Sequence, residues 1–167
     1  MPYPQWRAGE RITAARLASM IPAVVVKAAA QSVTNSTVLV DDTHLFLPVE
    51  ANATYVLDGA VFYAGQYNAG DLRADWGIPG GAAMRWAING AAPGGAAAYA
   101  SNSTVVGTPL EAGTYGVGGA LTSLHPVGHL VTASSGGLMR LRWAQRTAHA
   151  TPTTLHPLSW LRLQRIA

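Results

Sequence analysis

Between Gln31 and Gly65 the chain reads QSVTNSTVLVDDTHLFLPVEANATYVLDGAVFYAG, and no helical period survives in that stretch. Its apolar residues come in short runs: Val38 to Val40, Leu45 to Leu47, Tyr55 to Leu57 and Val61 to Tyr63. They are β-branched, aromatic or leucine, the types that suit a pleated, half-buried surface. Asn35-Ser36, Asp41-Asp42-Thr43 and Glu50-Ala51-Asn52 cut the runs, and such short polar side chains bond their own backbone and favour turns. The stretch predicts three or four strands opening an antiparallel β-sandwich.

The remaining strands are expected downstream. Leu72, Ala74, Trp76 and Ile78 alternate with Arg73, Asp75 and Gly77, and after Pro79-Gly80-Gly81 the alternation returns with Met84, Trp86 and Ile88. That spacing predicts one hairpin with both tryptophans on its inner face. From Gly90 to Gly119 glycine and alanine dominate, which predicts loops and edge strands, with short strands at 103–106 and 113–117. Residues 120–124 and 127–133 read as two further strands. Met139, Leu141 and Trp143 alternate with Arg140, Arg142 and Ala144, and Leu161 and Leu163 alternate with Arg162 and Gln164. About nine strands with turns every ~8–12 residues predict an all-β sandwich or jelly roll over residues 31–167. Its core is expected to hold Trp76, Trp86, Trp143, Leu141, Leu161, Leu163, Val61 and Leu47.

Residues 1–30 have a different character. Thr13 is a good N-cap, and Leu17, Met20 and Ile21 share one face of a two-turn helix that Pro22 stops. So short a helix is marginal alone and must dock, with Trp6 upstream as an anchor. Ala23 to Ala29 then reads as a strand leading into the sandwich.

Charged residues make up 11% of the 167-residue chain, against about 25% in a typical soluble domain. So few charges suggest that another copy covers part of the surface; a monomer with a Ser/Thr/Asn surface is the alternative. The net charge of +3 comes from dispersed arginines with no basic run, so nucleic acid is not an expected partner. Without cysteine there is neither a disulfide nor a thiolate metal site. The first residues, MPYPQWRAGE, lack the apolar stretch of a signal peptide, and no segment approaches ~20 apolar residues, so cytoplasmic synthesis without membrane insertion is expected.

The pattern W-x-A-G-x-x-I-T-A-A-x-L at Trp6 to Leu17 resembles the start of many phage tail and fibre proteins. Ala18 stands where that pattern often has Asn. The segments QSVTNSTVLVDDTHLFLPVEANATY, MRLRWAQRTAHATPTT and SWLRLQRIA resemble a family of small virion proteins of actinobacterial phages, labelled minor tail or structural proteins. The resemblance covers nearly the whole chain. It implies a virion setting, as a capsid decoration, head fibre or minor tail protein, and a jelly roll of the tumour-necrosis-factor or C1q type associated as a homotrimer. In that setting Trp6, Arg7, Arg11, Arg16, Leu17, Met20 and Ile21 suit insertion into a groove on a capsid or tail subunit, with the arginines meeting acidic groups at its rim. The bland alternative is a helix that caps its own sandwich.

No catalytic constellation emerges, and no enzyme, cofactor or metal is expected. There is no G-x-S-x-G elbow, phosphate-binding loop or H-E-x-x-H, and Asp41-Asp42 reads as a turn pair. His125 and His129 share one side if the backbone is extended, where a three-fold axis could gather them around a metal, but Pro126 and Gly128 argue for a loop. Five tryptophans invite a carbohydrate reading, that of an adhesin for host surface glycans. Trp76, Trp86 and Trp143 fall on apolar faces, which leaves Trp6 and Trp160 freer. Arg140, Arg142 and Arg162 read together as a polar face: solvated, meeting a neighbouring subunit, or lining a ligand groove. A polysaccharide-degrading enzyme is the remaining alternative.

Overall fold

A computed structural model describes residues 21–67, 69–94, 99–114 and 121–167, together with Ala8, Gly9, Arg11, Thr13 and Ala14. Residues 15–20 of the expected helix, with Arg16, Leu17 and Met20, lie outside the described residues, as do Trp6 and Arg7. Twelve strands are described: β1 (Ala23–Val26), β2 (Gln31–Val33), β3 (Val40–Val49), β4 (Thr54–Ala64), β5 (Leu72–Gly77), β6 (Ala83–Ala91), β7 (Tyr99–Val105), β8 (Leu110–Ala112), β9 (Thr122–Val131), β10 (Gly137–Gln145), β11 (Thr153–Leu155) and β12 (Trp160–Arg165).

They form an antiparallel β-sandwich of jelly-roll type. One sheet runs β1-β12-β4-β9-β6-β7, with β11 joining β4 to β2, and the other runs β3-β10-β5-β8. The chain passes back and forth between the layers, so strands adjacent in sequence commonly face each other across the core. Residue alternation fixes which side of each strand turns inward. All eight expected core residues are buried, with Val61, Trp143 and Leu161 fully enclosed.

The two central tryptophans do touch, but not as neighbours in a hairpin. Trp76 belongs to β5 of the smaller sheet and Trp86 to β6 of the larger. Their rings meet edge to face across the sandwich, centroids 5.8 Å apart at 84°, a preferred aromatic geometry. The turn between them is closed by Ala82 N–H on the Pro79 carbonyl at 3.1 Å, with Gly81 at φ 77°. That backbone region suits glycine and lets the chain change layers.

Residues 122–131 are one strand, where two were expected. Pro126 lies in the interior of β9 opposite Ile88 of β6, a rare place for a residue with no N–H to give. On the β4 side the ladder skips from Asp58↔Val127 to Val61↔Leu124, so the missing donor falls where pairing is interrupted. At the skip, Gly59 leaves room for the neighbouring strand: a Cβ there would stand 2.5 Å from the Trp160 carbonyl oxygen. The short strand β11, paired with β2 at Thr153↔Val33, was not foreseen in the Thr/Pro-rich stretch. Ser103 to Val105 belongs to β7, as expected. Gly113 and Thr114 form a loop, and residues 115–117 lie outside the described residues.

Asp42 is not a turn residue. The register of β3 against β10 slips between Phe46↔Arg140 and Asp41↔Arg142, a bulge that re-aims side chains. Its buried carboxylate accepts Lys27 Nζ at 2.7 Å, Trp143 Nε1 at 3.2 Å, and the N–H groups of His44 and Leu45 at 2.9 and 2.8 Å. Lys27, just beyond β1, is the only lysine in the sequence. Its ion pair fastens the edge of the larger sheet to the first strand of the smaller.

Candidate functional surface

The sandwich presents two outer faces of opposite chemistry. On the smaller sheet, β3 and β10 set Asp41 between two guanidinium groups, Arg140 at 2.9 Å and Arg142 at 3.3 Å. The Arg140 guanidinium also lies 5.0 Å from the centre of the Phe46 ring, a cation–π arrangement. Near the end of β10, Arg146 bonds Glu111 at 2.6 Å and approaches buried Asp71 at 3.6 Å. Of this sheet's large apolar side chains, only Leu138 is exposed among the described residues.

The larger sheet's outer face follows from its register. Val24 pairs with Arg162 and Val26 with Trp160; Arg162 pairs with Asp58, which pairs with Val127; His129 pairs with both Val56 and Arg85; Arg85 pairs with Val105. Paired residues in an antiparallel ladder point to the same side. Hence Val24, Val26, Val56, Val105, Val127 and Val131 share one surface, and all six are exposed. The Asp58 carboxylate, hydrogen-bonded to Arg162 at 2.8 Å and negatively charged, raises the guanidinium above its ordinary pKa. Where β6, β7 and β9 end, Ile78, Met84, Arg85, Val105, His129 and Val131 border an open groove of about 580 Å³.

The residues singled out in the sequence are thus divided. Arg140 and Arg142 lie on the face of the smaller sheet, and Trp160 and Arg162 on that of the larger, so the three arginines do not form one surface. Trp160 is half-buried beside Val26 and Ala60. Ile21, immediately before β1, is 71% exposed, and Arg11 is exposed as well. His125 and His129 do share one side of an extended strand, and both are exposed; no group of three or more His, Asp or Glu suited to a metal occurs among the described residues.

All seven described carboxylates have partners within the chain. Asp41, Asp58, Glu50 and Glu111 pair with arginines, and Asp42 pairs with Lys27. Asp71 accepts the N–H groups of Gly94 and Thr114 at 2.8 and 2.9 Å, and Asp75 accepts that of Gly107 at 3.1 Å. The valine face was the feature that residue-by-residue reading missed. Its signal was present in the valines standing at polar positions of β1, β4 and β9.

No protein-family model matches the chain, and no curated protein matches it. Among solved structures it is similar to an Eiger TNF from S. frugiperda, at 11% identity and TM-score 0.41, over 87% of this chain and 93% of that one. It is also similar to the infectious bursal disease virus Gt strain structure, at 11% identity and TM-score 0.21, over 86% of this chain and 42% of that one. A VP2 subviral particle of the same virus gives 11% identity and TM-score 0.22, again over 42% of its own length.

Proposed function

We propose that the protein is a non-enzymatic structural component of a phage virion, a homotrimeric surface appendage attached through the residues before β1. Capsid decoration, head fibre and minor tail protein are the forms this takes, and the partners are capsid or tail subunits. The resemblance of Trp6 to Leu17 and of three sandwich segments to virion proteins supports the setting. The observation that carries it is the position of Ile21: an apolar side chain left 71% exposed where the chain enters the edge strand β1. An apolar group so placed, with Trp6, Leu17 and Met20 preceding it in sequence, suits insertion into another protein's groove. Arg7, Arg11 and Arg16 would meet acidic groups at the rim.

Cryo-electron microscopy of particles locates the protein on head or tail, and deletion of Met1 to Pro22 tests the attachment. The expected result is a folded trimer that no longer joins particles. A deletion variant that still joins particles, or a domain that unfolds without these residues, overturns the assignment. A second reading is a glycan-binding adhesin, favoured by Trp160 standing part-exposed on an outer face beside Arg162. Glycan-array binding lost in Trp160→Ala would establish it, and release of reducing ends from host polysaccharide would instead show an enzyme.

A further inference from the structure

An exposed valine here and there is ordinary on a protein surface, but six on one face are not. Of twelve exposed large apolar side chains among the described residues, six project from the outer face of the larger sheet and one from the smaller sheet. The two faces belong to the same molecule and the same solvent, so a difference in surroundings explains them best. Ion pairs keep the smaller sheet's face hydrated. On the larger sheet the valines lie at both edges and in the middle, around the single Asp58–Arg162 pair.

Size and shape both point to a second copy as the occupant. Six strands spaced ~4.8 Å apart, with about eight residues of ~3.3 Å each, make a face of ~750 Å² before corrugation. A standard protein interface buries about 800 Å² per partner. The face also carries two unlike apolar features at opposite edges. Val24 and Val26 project from β1, and the groove walled by Val105 and Val131 lies beside β7. A chain bearing both a projection and a recess on one face can contact its copies head to tail, and such contacts close into a ring when the rotation permits.

We propose that this face is the interface between copies, with Val24 and Val26 of one copy against the β6–β7–β9 groove of the next. The inference rests on the trimer reading above and deepens it by naming the surface. Arg85 and His129 at the groove would then form the polar part of a largely apolar contact.

Light scattering on the full chain and its variants tests this. The wild type is expected at three times the 17.4 kDa protomer mass. Val24→Asp and Val105→Asp should each fall to the protomer mass while keeping the wild-type circular dichroism, because both side chains are already about half exposed. Arg142→Glu, on the other sheet, should remain trimeric. A one-to-one mixture of the two valine variants should recover mass above the protomer, since each retains the half the other has lost. An oligomer that survives both substitutions overturns the inference and leaves the trimer standing. A mixture that stays monomeric overturns the head-to-tail arrangement, and a monomeric wild type overturns the interface and the trimer together.

Discussion

Lys27 Nζ stands 2.7 Å from Asp42 Oδ2 with neither side chain exposed to solvent. Removing two charges from water is costly, and their attraction offsets that only when the remaining hydrogen-bonding capacity is used. Asp42 meets the condition with four donors. Lys27→Met leaves the carboxylate buried without its cation and should cost about 3–5 kcal/mol in chemical denaturation. The double variant Lys27→Met/Asp42→Leu should cost clearly less than the single one. Equal losses would mean that the pair contributes through packing alone.

Trp143 fills the core and gives its indole N–H to the same carboxylate, so it serves two purposes. Trp143→Ala should lose about 3–5 kcal/mol, and Trp143→Phe a smaller part of that. An unchanged melting temperature in Trp143→Ala would contradict the inward orientation of β10.

The edge-to-face contact of Trp76 and Trp86 joins the two sheets. A double-mutant cycle with leucine at each position should show a coupling of about 0.5–1.5 kcal/mol. Additive losses would place the rings apart in solution.

Gly59 has no room for a side chain, because the Trp160 carbonyl and Leu161 occupy the space. Gly59→Ala should destabilise by about 1–3 kcal/mol through overpacking. Gly80, where an added Cβ would meet nothing within 4 Å, is the control. Gly80→Ala is expected to leave the denaturation midpoint in place.

Asp71 holds two loops through Gly94 and Thr114. Asp71→Ala orphans donors in a buried site and should cost about 3 kcal/mol. Amide exchange should quicken first at Gly94 and Thr114, ahead of the central strands.

Much of the sandwich was legible from alternation alone, because burial on one side imposes a period of two wherever a strand has a wet face and a dry face. The three core tryptophans were placed that way. Alternation does not say which sheet a strand joins. Trp76 and Trp86 therefore looked like hairpin neighbours, and Arg140 and Arg162 looked like one surface. Pro126 misled for a different reason: a missing N–H normally ends a central strand, and here a gap in the ladder beside Gly59 accommodates it. The Lys27–Asp42 pair depends on a bulge that re-aims Asp42, and nothing local announces that. The valine face went unread because valine satisfies strand propensity whether it faces the core or the outside.

One side chain has a practical consequence for anyone handling the protein. Its sole ε-amine is sealed inside the folded sandwich, so dyes and cross-linkers that react with primary amines have no lysine to reach there. Uptake of such a reagent at Lys27 would report opening of the domain, and a folded sample should stay unlabelled at that position.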